Sequence, residues 1–446
     1  MRTNPPVGPG KLRTASKTLG TLALLQLVLP VNLVLTAVAL VWPRRDAPAA
    51  AAPGTSSKTI LISGGKMTKA LQLARSMHRA GHRVILVETA RYRLTGHRFS
   101  RAVDRFRTVP PPTAPGYAQA LLDIVLAEGV DVYIPVCSPV SSYYDALAKP
   151  LLEPHCTVLH PEAEVVRALD DKYEFTRMAR AAGLSTPDSH RVTEARQVTE
   201  FDFAAGQRPY LLKSIAYDPV NRLDLTTLPR PTRPETAAHA RSKPISPRNP
   251  WIMQEFIAGQ EYCVHTTVRD GEIKVYVCCA SSAFQVNYAR SDHPGIEAWV
   301  RRFASFHRLT GQISFDLIQA EDGRVFPIEC NPRTHSAITL FRDHPGLAPA
   351  YLDPGAPPVT PRPDSRPTYW TYHELWRLLR RQRGLREGLR VFARGTDAIF
   401  DRSDPLPFLL VHHVQIPGLL LRNLVTGRDW HRIDFNIGKL VEPAGD

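Results

Sequence analysis

The chain has 446 residues, enough for two or three domains with sizeable cores, and at 43% apolar and 22% charged it is neither fibrous nor disordered. Its net charge of +14 invites a nucleic-acid partner. The arginines, however, are scattered or gathered at the two ends and no nucleic-acid-binding module is visible; the basic charge fits an anionic membrane surface better, and a genomic bias toward Arg, Ala and Pro explains much of the excess.

No charged residue lies between Lys17 and Arg44, and 19-LGTLALLQLVLPVNLVLTAVALVW-42 is long enough to span a bilayer. The length of the run and Arg44-Arg45, ahead of the Ala-rich 47-APAAAAPG-54, argue against a cleaved signal peptide. As a single spanning helix, the flanks Arg2, Lys11, Arg13 and Lys17 would keep the N-terminus inside and put the body outside, away from nucleotide. Pro30-Val31-Asn32 sits at the middle of the run, where proline removes a backbone donor and asparagine suits a turn. A re-entrant hairpin of two arms is therefore expected, with both basic flanks and the body on the cytoplasmic face of the membrane. Residues 1–57 then comprise a basic tail, this apolar segment and a Pro/Ala linker.

The body opens with a strand at 59–64, a Gly64-Gly65 turn, a helix at 66–81 with Met67, Ala70, Leu71, Ala74 and Met77 on one stripe, and a strand at 83–88. Neither G-x-G-x-x-G nor G-x-x-x-x-G-K-[ST] occurs, so the glycines are assigned to a turn rather than a phosphate cradle. A helix at 118–129 and a strand at 131–136 repeat the unit, which predicts a covered parallel sheet up to about residue 160. Cys137, Ser138 and Ser141 follow a strand's C-terminal end, where ligands commonly sit. The six cysteines form no C-x-x-C pair and lie mostly in apolar runs, as expected in a reducing compartment.

Further on, a helix is expected that acidic residues open at 170 and Gly183 stops, with Pro187 beyond, then a strand carrying Lys213 over 209–214, two strands joined through Gly259 over 251–268, and a helix over 297–311. A hairpin follows, 312–319 and 324–330, joined by 321-EDG-323. Glu329, Asn331 and Arg333 stand at alternate positions and so share one face of the second strand. The short turn brings Asp316 of the first strand beside Glu329. Two carboxylates and the Asn331 amide oxygen make an all-oxygen set suited to Mg²⁺, or Mn²⁺ in its place, held together with phosphate oxygens. The guanidinium two residues on suits a phosphate.

Over residues 59 to 350 these features resemble the ATP-grasp superfamily. The resemblance implies an ATP-grasp fold, of mixed α/β and α+β class, preceded by a Rossmann-like domain. Residues 58–165 would be that domain and 166–352 the ATP-grasp unit, with a lid near 190–255. Residue by residue, Lys172 and Lys213 match the phosphate-contacting lysines. Gln254, Glu255, Phe256 and Ile257 match the hinge whose backbone pairs with adenine, and Glu261 the carboxylate on the ribose. Asp316, Glu329 and Asn331 match the metal ligands, and Arg333 the guanidinium beside the transferred phosphoryl group, where with Lys213 it would be catalytic. One departure stands out: 213-KSIAYDPVNRLDL-225 lacks the lid's glycines, leaving Ser214, Tyr217 or Arg222 to reach the phosphates.

Strings such as ILISGGKMTKALQLAR, IPVCSPVSSYYDALAKP, WIMQEFIAGQEYC and IECNPRTHSAIT are similar to the mycosporine-glycine synthase family. That implies an ATP-dependent C–N ligase joining 4-deoxygadusol, a cyclohexenone, to glycine by way of a phosphorylated enol. Candidates to hold the ring and the amino acid are His335, Ser336, Gln285, Asn287, Tyr288 and the 137–141 loop with Ser138. His412-His413 lacks matching metal partners and is assigned a structural role. Residues 353–446 form a C-terminal extension: a Pro-rich stretch, a basic amphipathic pattern over 374–395 and the apolar run 406–425, both suited to a membrane surface. Two alternatives stay open. One is a different ATP-grasp carboxylate–amine ligase or a carbamoyl-phosphate-synthase-like enzyme; the other is a membrane-tethered nucleotide-binding scaffold.

Overall fold

The computed structural model describes residues 9–43, 56–136, 138, 140–205, 208–216, 221, 224–281, 287–380 and 384–442. Between Pro9 and Val41 the chain is one unbroken helix, α1, and not the hairpin expected from Pro30-Val31-Asn32. A proline removes one helical hydrogen bond, but the helix continues where other contacts hold the next turn. Here Asn32 supplies them. It is buried, and its amide donates to the Tyr372 hydroxyl at 2.6 Å and to His413 Nε2 at 2.7 Å. The residue expected to turn the chain fastens the helix to the body instead.

After the linker, β1 (Thr59–Ile62), β2 (Arg83–Thr89), β3 (Arg105–Val109), β4 (Val132–Ile134) and β5 (Thr157–Val158) form a parallel sheet in the order β3-β2-β1-β4-β5. The helices α2 (Thr68–Arg79), α3 (Tyr117–Glu128) and α4 (Ser141–Leu152) cover it. Ile60, Ile62, Val84 and Leu86 pack with Leu71 and Ala74 of α2 on one face, while Leu61, Ile85 and Tyr133 pack with Leu121 of α3 on the other. Burial on both faces is why these strands read as unbroken apolar runs. Gly64 has φ +69°, and a Cβ there would lie 2.0 Å from the Val136 carbonyl oxygen, so the β1–α2 turn requires glycine.

Two helices, α5 (Ala163–Asp170) and α6 (Lys172–Ala181), lead to two antiparallel sheets. The smaller holds β6 (Ser189–Val192), β7 (Tyr210–Ser214), β8 (Thr227–Leu228) and β9 (Trp251–Glu255), in the order β6-β9-β7-β8. The next strands are β10 (Gly259–Arg269), β11 (Glu272–Ala280), β12 (Asn287–Tyr288), β13 (Gly311–Ala320) and β14 (Val325–Asn331). Of these, β11-β10-β13-β14 make the larger sheet. Ile313, Phe315, Leu317 and Cys330 point into a core with Phe175, Trp299 and Phe303. By strand alternation Asp316, Glu329 and Asn331 face the opposite side, toward the smaller sheet.

The C-terminal region is built into the first unit. Phe408, Val411, Ile416, Leu420 and Phe435 share one core cluster with Ile60 and Leu71. Arg75 of α2, 3% exposed, donates to Asp404 Oδ2 at 2.8 Å. The basic amphipathic stretch is two helices, Thr371–Leu379 and Leu385–Arg394. His412 donates from Nδ1 to the Phe408 carbonyl at 2.6 Å, and its ring packs on Tyr372 and Phe408. That is a structural arrangement.

Candidate functional site

The polar face of the β13–β14 hairpin forms one wall of a cleft. Asp316 and Glu329 are cross-strand partners in register, which places their Cβ atoms about 5 Å apart. The Asn331 amide donates to Asp316 Oδ2 at 3.3 Å, and Arg333 donates to Asn331 Oδ1. The Arg333 carbonyl, in turn, accepts from Ser314 Oγ at 2.6 Å, which fixes the chain just past the strand.

Cations enter from two other elements. Lys172 is the first residue of α6, whose N-cap Asp171 accepts from the Tyr173 and Glu174 amides at 2.8 and 3.1 Å. The cap sets the start of the helix, and Lys172 Nζ lies 3.7 Å from Glu329 Oε1. From β7, Lys213 donates to Gln254 Oε1 at 3.0 Å. Arg333 also pairs through its buried Nη1 with Asp170 Oδ1 at 3.6 Å. Glu261 of β10 faces the same space: its charge acts on both Asp316 and Lys213.

Burial, Glu329 and then Glu261 push the Asp316 carboxyl up to about 7, although Arg333 and Lys172 pull it down. Burial, followed by the repulsion of Lys172, lowers the Lys213 ammonium to about 8. Asp170 is also raised, chiefly by burial and against the pull of Arg333. Charges of both signs are thus gathered in a partly desolvated space, with Lys172 against Glu329 and Arg333 against Asp170. Among the described residues no group of three His, Cys, Asp or Glu side chains is placed to hold a metal. The set that the hairpin does offer is two carboxylates and an amide, so a cation bound there needs oxygens from a ligand as well.

The expected hinge joins the two antiparallel sheets, with Gln254 and Glu255 ending β9 and Phe256 and Ile257 in the link to β10. The Glu255 amide donates to the Asp188 carbonyl at 2.8 Å and the Phe256 amide to that of Pro209 at 2.7 Å. Neither N–H is therefore open to a base, and any pairing there must use the carbonyls or the Ile257 amide. Ile257, Ile318 and Phe326 form an apolar cluster beside this link. The Glu255 carboxylate is occupied by the Asp188 amide at 3.0 Å and by Arg208 at 3.6 Å.

The expected substrate residues divide. His335, Tyr288 and Ser336 come together: the His335 and Tyr288 rings meet edge to face at 5.2 Å, and Ser336 donates to Asn436 Oδ1 at 2.8 Å. Asn287 instead donates to Glu374 at 2.9 Å, and Ser138 is engaged with Ser141 Oγ at 3.0 Å within its own turn. Cys137, Tyr217, Arg222 and Gln285 lie outside the described residues.

Sequence reasoning missed four residues here. Asp170 reads in the sequence only as part of an acidic helix start. Lys69 of α2 donates to the Thr334 carbonyl, and Gln312 Oε1 accepts from Thr334 Oγ1 at 2.6 Å. Asn436 accepts from the Thr68 amide at the N-terminus of α2 through its carbonyl, at 2.9 Å, and from Ser336 through its side chain. Only Asp170, next to the Asp171-Lys172 pair, carried any local signal.

No family model and no curated protein matches the sequence. Solved structures do resemble the fold. A biotin carboxylase β,γ-ATP complex from Campylobacter jejuni aligns over 68% of this chain and 73% of its own, at 14% identity and a TM-score of 0.51. The ADP complex of an N5-carboxyaminoimidazole ribonucleotide synthetase aligns over 63% and 71%, at 16% identity and a TM-score of 0.48. An L-amino acid ligase from Bacillus licheniformis aligns over 63% and 68%, at 16% identity and 0.47. At such identities the likeness speaks for the fold alone: two antiparallel sheets facing one cleft behind a parallel-sheet domain, the ATP-grasp fold.

Proposed function

We propose that the chain is an ATP-dependent ligase that forms a C–N bond, releasing ADP and phosphate. One observation carries this reading: Lys172, Lys213, Glu261, Asp316, Glu329, Asn331 and Arg333, drawn from five separate elements, face one cleft. Phosphoryl transfer asks a protein mainly for positioning and charge neutralisation, and this constellation supplies both. ADP and MgADP are present in solved structures of similar fold.

Asp316, Glu329 and Asn331 fit Mg²⁺. The amide now turns its nitrogen to Asp316 and its oxygen to Arg333, so ligation needs a half-turn of the terminal amide. A cation held there with phosphate oxygens would supply charge neutralisation for the transferred group, and Asp316, whose carboxyl is raised to about 7, would meet it as the carboxylate. Lys172 and Lys213 would neutralise the phosphates and orient them. Arg333, whose guanidinium lies between Asp170 and Asn331, would donate to the phosphoryl group in flight. Ile257, Ile318 and Phe326 offer an apolar seat for the base.

The finer reading, supported by the quoted sequence strings, is ligation of 4-deoxygadusol to glycine to give mycosporine-glycine. The enol oxygen of this vinylogous acid attacks the γ-phosphorus and ADP leaves. The glycine amine then adds to the carbon bearing the new phosphate; phosphate departs with the C–O electrons and one amine proton is lost, leaving the enaminone. His335, Ser336 and Tyr288, which cluster just past Arg333, would meet the ring. A carboxylate acceptor is the second reading, because the phosphate-handling residues are indifferent to whether the activated oxygen belongs to an enol or an acid.

The body is assigned to the cytoplasmic face of a membrane, attached through α1, whose outward side is apolar. The catalytic reading is tested by Glu329→Ala. ADP formation with acceptor and amine supplied should fall by at least about 10²-fold, the scale for losing one preorganised charged contact. Near-normal turnover would refute it.

A further inference from the structure

The sides of α1 are arranged opposite to those of a helix on a water-soluble protein. Thr18, Asn32 and Thr36 are buried at 1%, 3% and 3%, whereas Leu27, Val31 and Val34 are exposed at 75%, 60% and 62%. Buried polar groups thus stand on its inner side with Leu25 and Ala39, while most of its large apolar side chains turn outward. The second long apolar helical stretch, Leu406–Thr426, packs beside it and leaves Leu421 and Val425 exposed at 50% and 86%. Together they make a contiguous apolar face, far from the scattered single hydrophobes of an ordinary surface.

Contacts with the body run the whole length of α1. Near its start, Thr14 donates to Asp429 at 3.0 Å, Lys17 to the Trp430 carbonyl at 2.7 Å, and Trp430 Nε1 to Thr18 Oγ1 at 2.9 Å. Asn32 holds the middle. At the far end Arg402 donates to the Trp42 carbonyl at 3.4 Å. With 33 residues, α1 is about 50 Å long, well beyond the ~30 Å hydrocarbon core. A crossing would drag Asp429, His431 or Arg402 and the surface around them into hydrocarbon, at a cost nothing here offsets.

We propose that α1 lies in the plane of the bilayer, sunk into one leaflet, and that the chain docks on anionic lipid through this one face without crossing. The orientation rests on the membrane attachment inferred above and is independent of the ligase reading. Charge complementarity selects the lipid. The helices Thr371–Leu379 and Leu385–Arg394, adjoining α1 through Tyr372, expose Leu379 and Leu385 at 78% and 68% beside the exposed Arg380, Arg386, Arg390 and Arg394. Apolar side chains at acyl depth with arginines level with the headgroups are the pattern of an interfacial, anion-seeking surface.

The test uses the full chain with vesicles of phosphatidylcholine, with and without phosphatidylglycerol. Binding should require phosphatidylglycerol, weaken about tenfold or more as salt rises, and be lost in Leu27→Glu/Val34→Glu, which retains ATP binding. Ser16→Cys and Trp42→Cys, near opposite ends of α1, should both react with a membrane-impermeant maleimide added outside the vesicles. Protection of one of the two on bound vesicles overturns the in-plane orientation while attachment stands. Failure to bind either vesicle, or a salt-resistant dimer abolished by the Leu27 and Val34 substitutions, overturns attachment too. Neither result touches the ATP chemistry, which the retained ATP binding reports separately.

Discussion

Lowering the pH from 7 to 5 should destabilise the folded chain sharply, and three histidines set the size of the effect. His97, His160 and His412 are 0%, 0% and 2% exposed. Burial holds their imidazoles near 3, 4 and 4 respectively, against 6.5 when free. In this interval the unfolded chain takes up a proton at each and the folded chain does not, so their contribution is full above about 6.5 and is lost as the pH falls. At 1.36 kcal/mol per unit, over roughly 1.5 units, each costs about 2 kcal/mol. His265, fully buried and also held well below its ordinary value, acts in the same sense. Asp316 opposes them. Its folded value of about 7 against 3.8 means that the folded state binds the extra proton, which returns about 2 kcal/mol as the pH drops. The three histidines less Asp316 leave a loss of about 4 kcal/mol, a large share of a typical 5–15 kcal/mol total, and His335, which burial holds near 3, adds to it. Urea unfolding followed by tryptophan fluorescence in metal-free buffer at both pH values measures it. His97→Gln, which keeps a donor for the Gly65 carbonyl, should flatten the slope by about one proton. An unfolding free energy that is constant or rises as the pH falls would refute the reasoning.

Lys213, held near 8, should impose a descending limb on kcat/KM for ATP as it loses its proton above that pH, and Lys213→Arg should move the limb out of range; an unchanged limb in the variant would contradict the assignment. Asp404 accepts from Arg75 at 2.8 Å, Ser100 at 2.6 Å and the Arg101 amide at 2.9 Å. Asp404→Ala leaves a buried guanidinium without its counter-charge and should cost about 3–5 kcal/mol in chemical denaturation. A cost below about 1 kcal/mol, the scale of a surface pair, would show that the two charges are solvated after all.

What the sequence made legible was what depends on local period. The runs at 59–64 and 83–88 read as covered parallel strands because both faces are buried, and the short 321–323 turn puts Asp316 beside Glu329 with Cys330 turned into the core. What stayed hidden depends on partners far along the chain. Pro30 and Asn32 carry every local sign of a turn, yet the Asn32–Tyr372 bond spans 340 positions and overrides them. The Glu255 and Phe256 amides look free in sequence and are taken by Asp188 and Pro209, on neighbouring segments of the smaller sheet. Asp170 meets Arg333, and Asn436 meets α2 and Ser336, only once the sheets and the C-terminal turn have packed.

The chemistry at the centre of the account is activation of a substrate oxygen by phosphorylation, followed by its loss to an amine. Supplying the purified chain with Mg²⁺, ATP, glycine and 4-deoxygadusol labelled with ¹⁸O at both oxygens of its enol–ketone system tests it directly by mass spectrometry. The expected product is a glycine adduct that keeps one label and has lost the other, with that ¹⁸O recovered in inorganic phosphate and ADP formed only when both acceptor and amine are present. ADP release indifferent to the two small molecules, or an adduct whose labelled oxygen never enters phosphate, would contradict it.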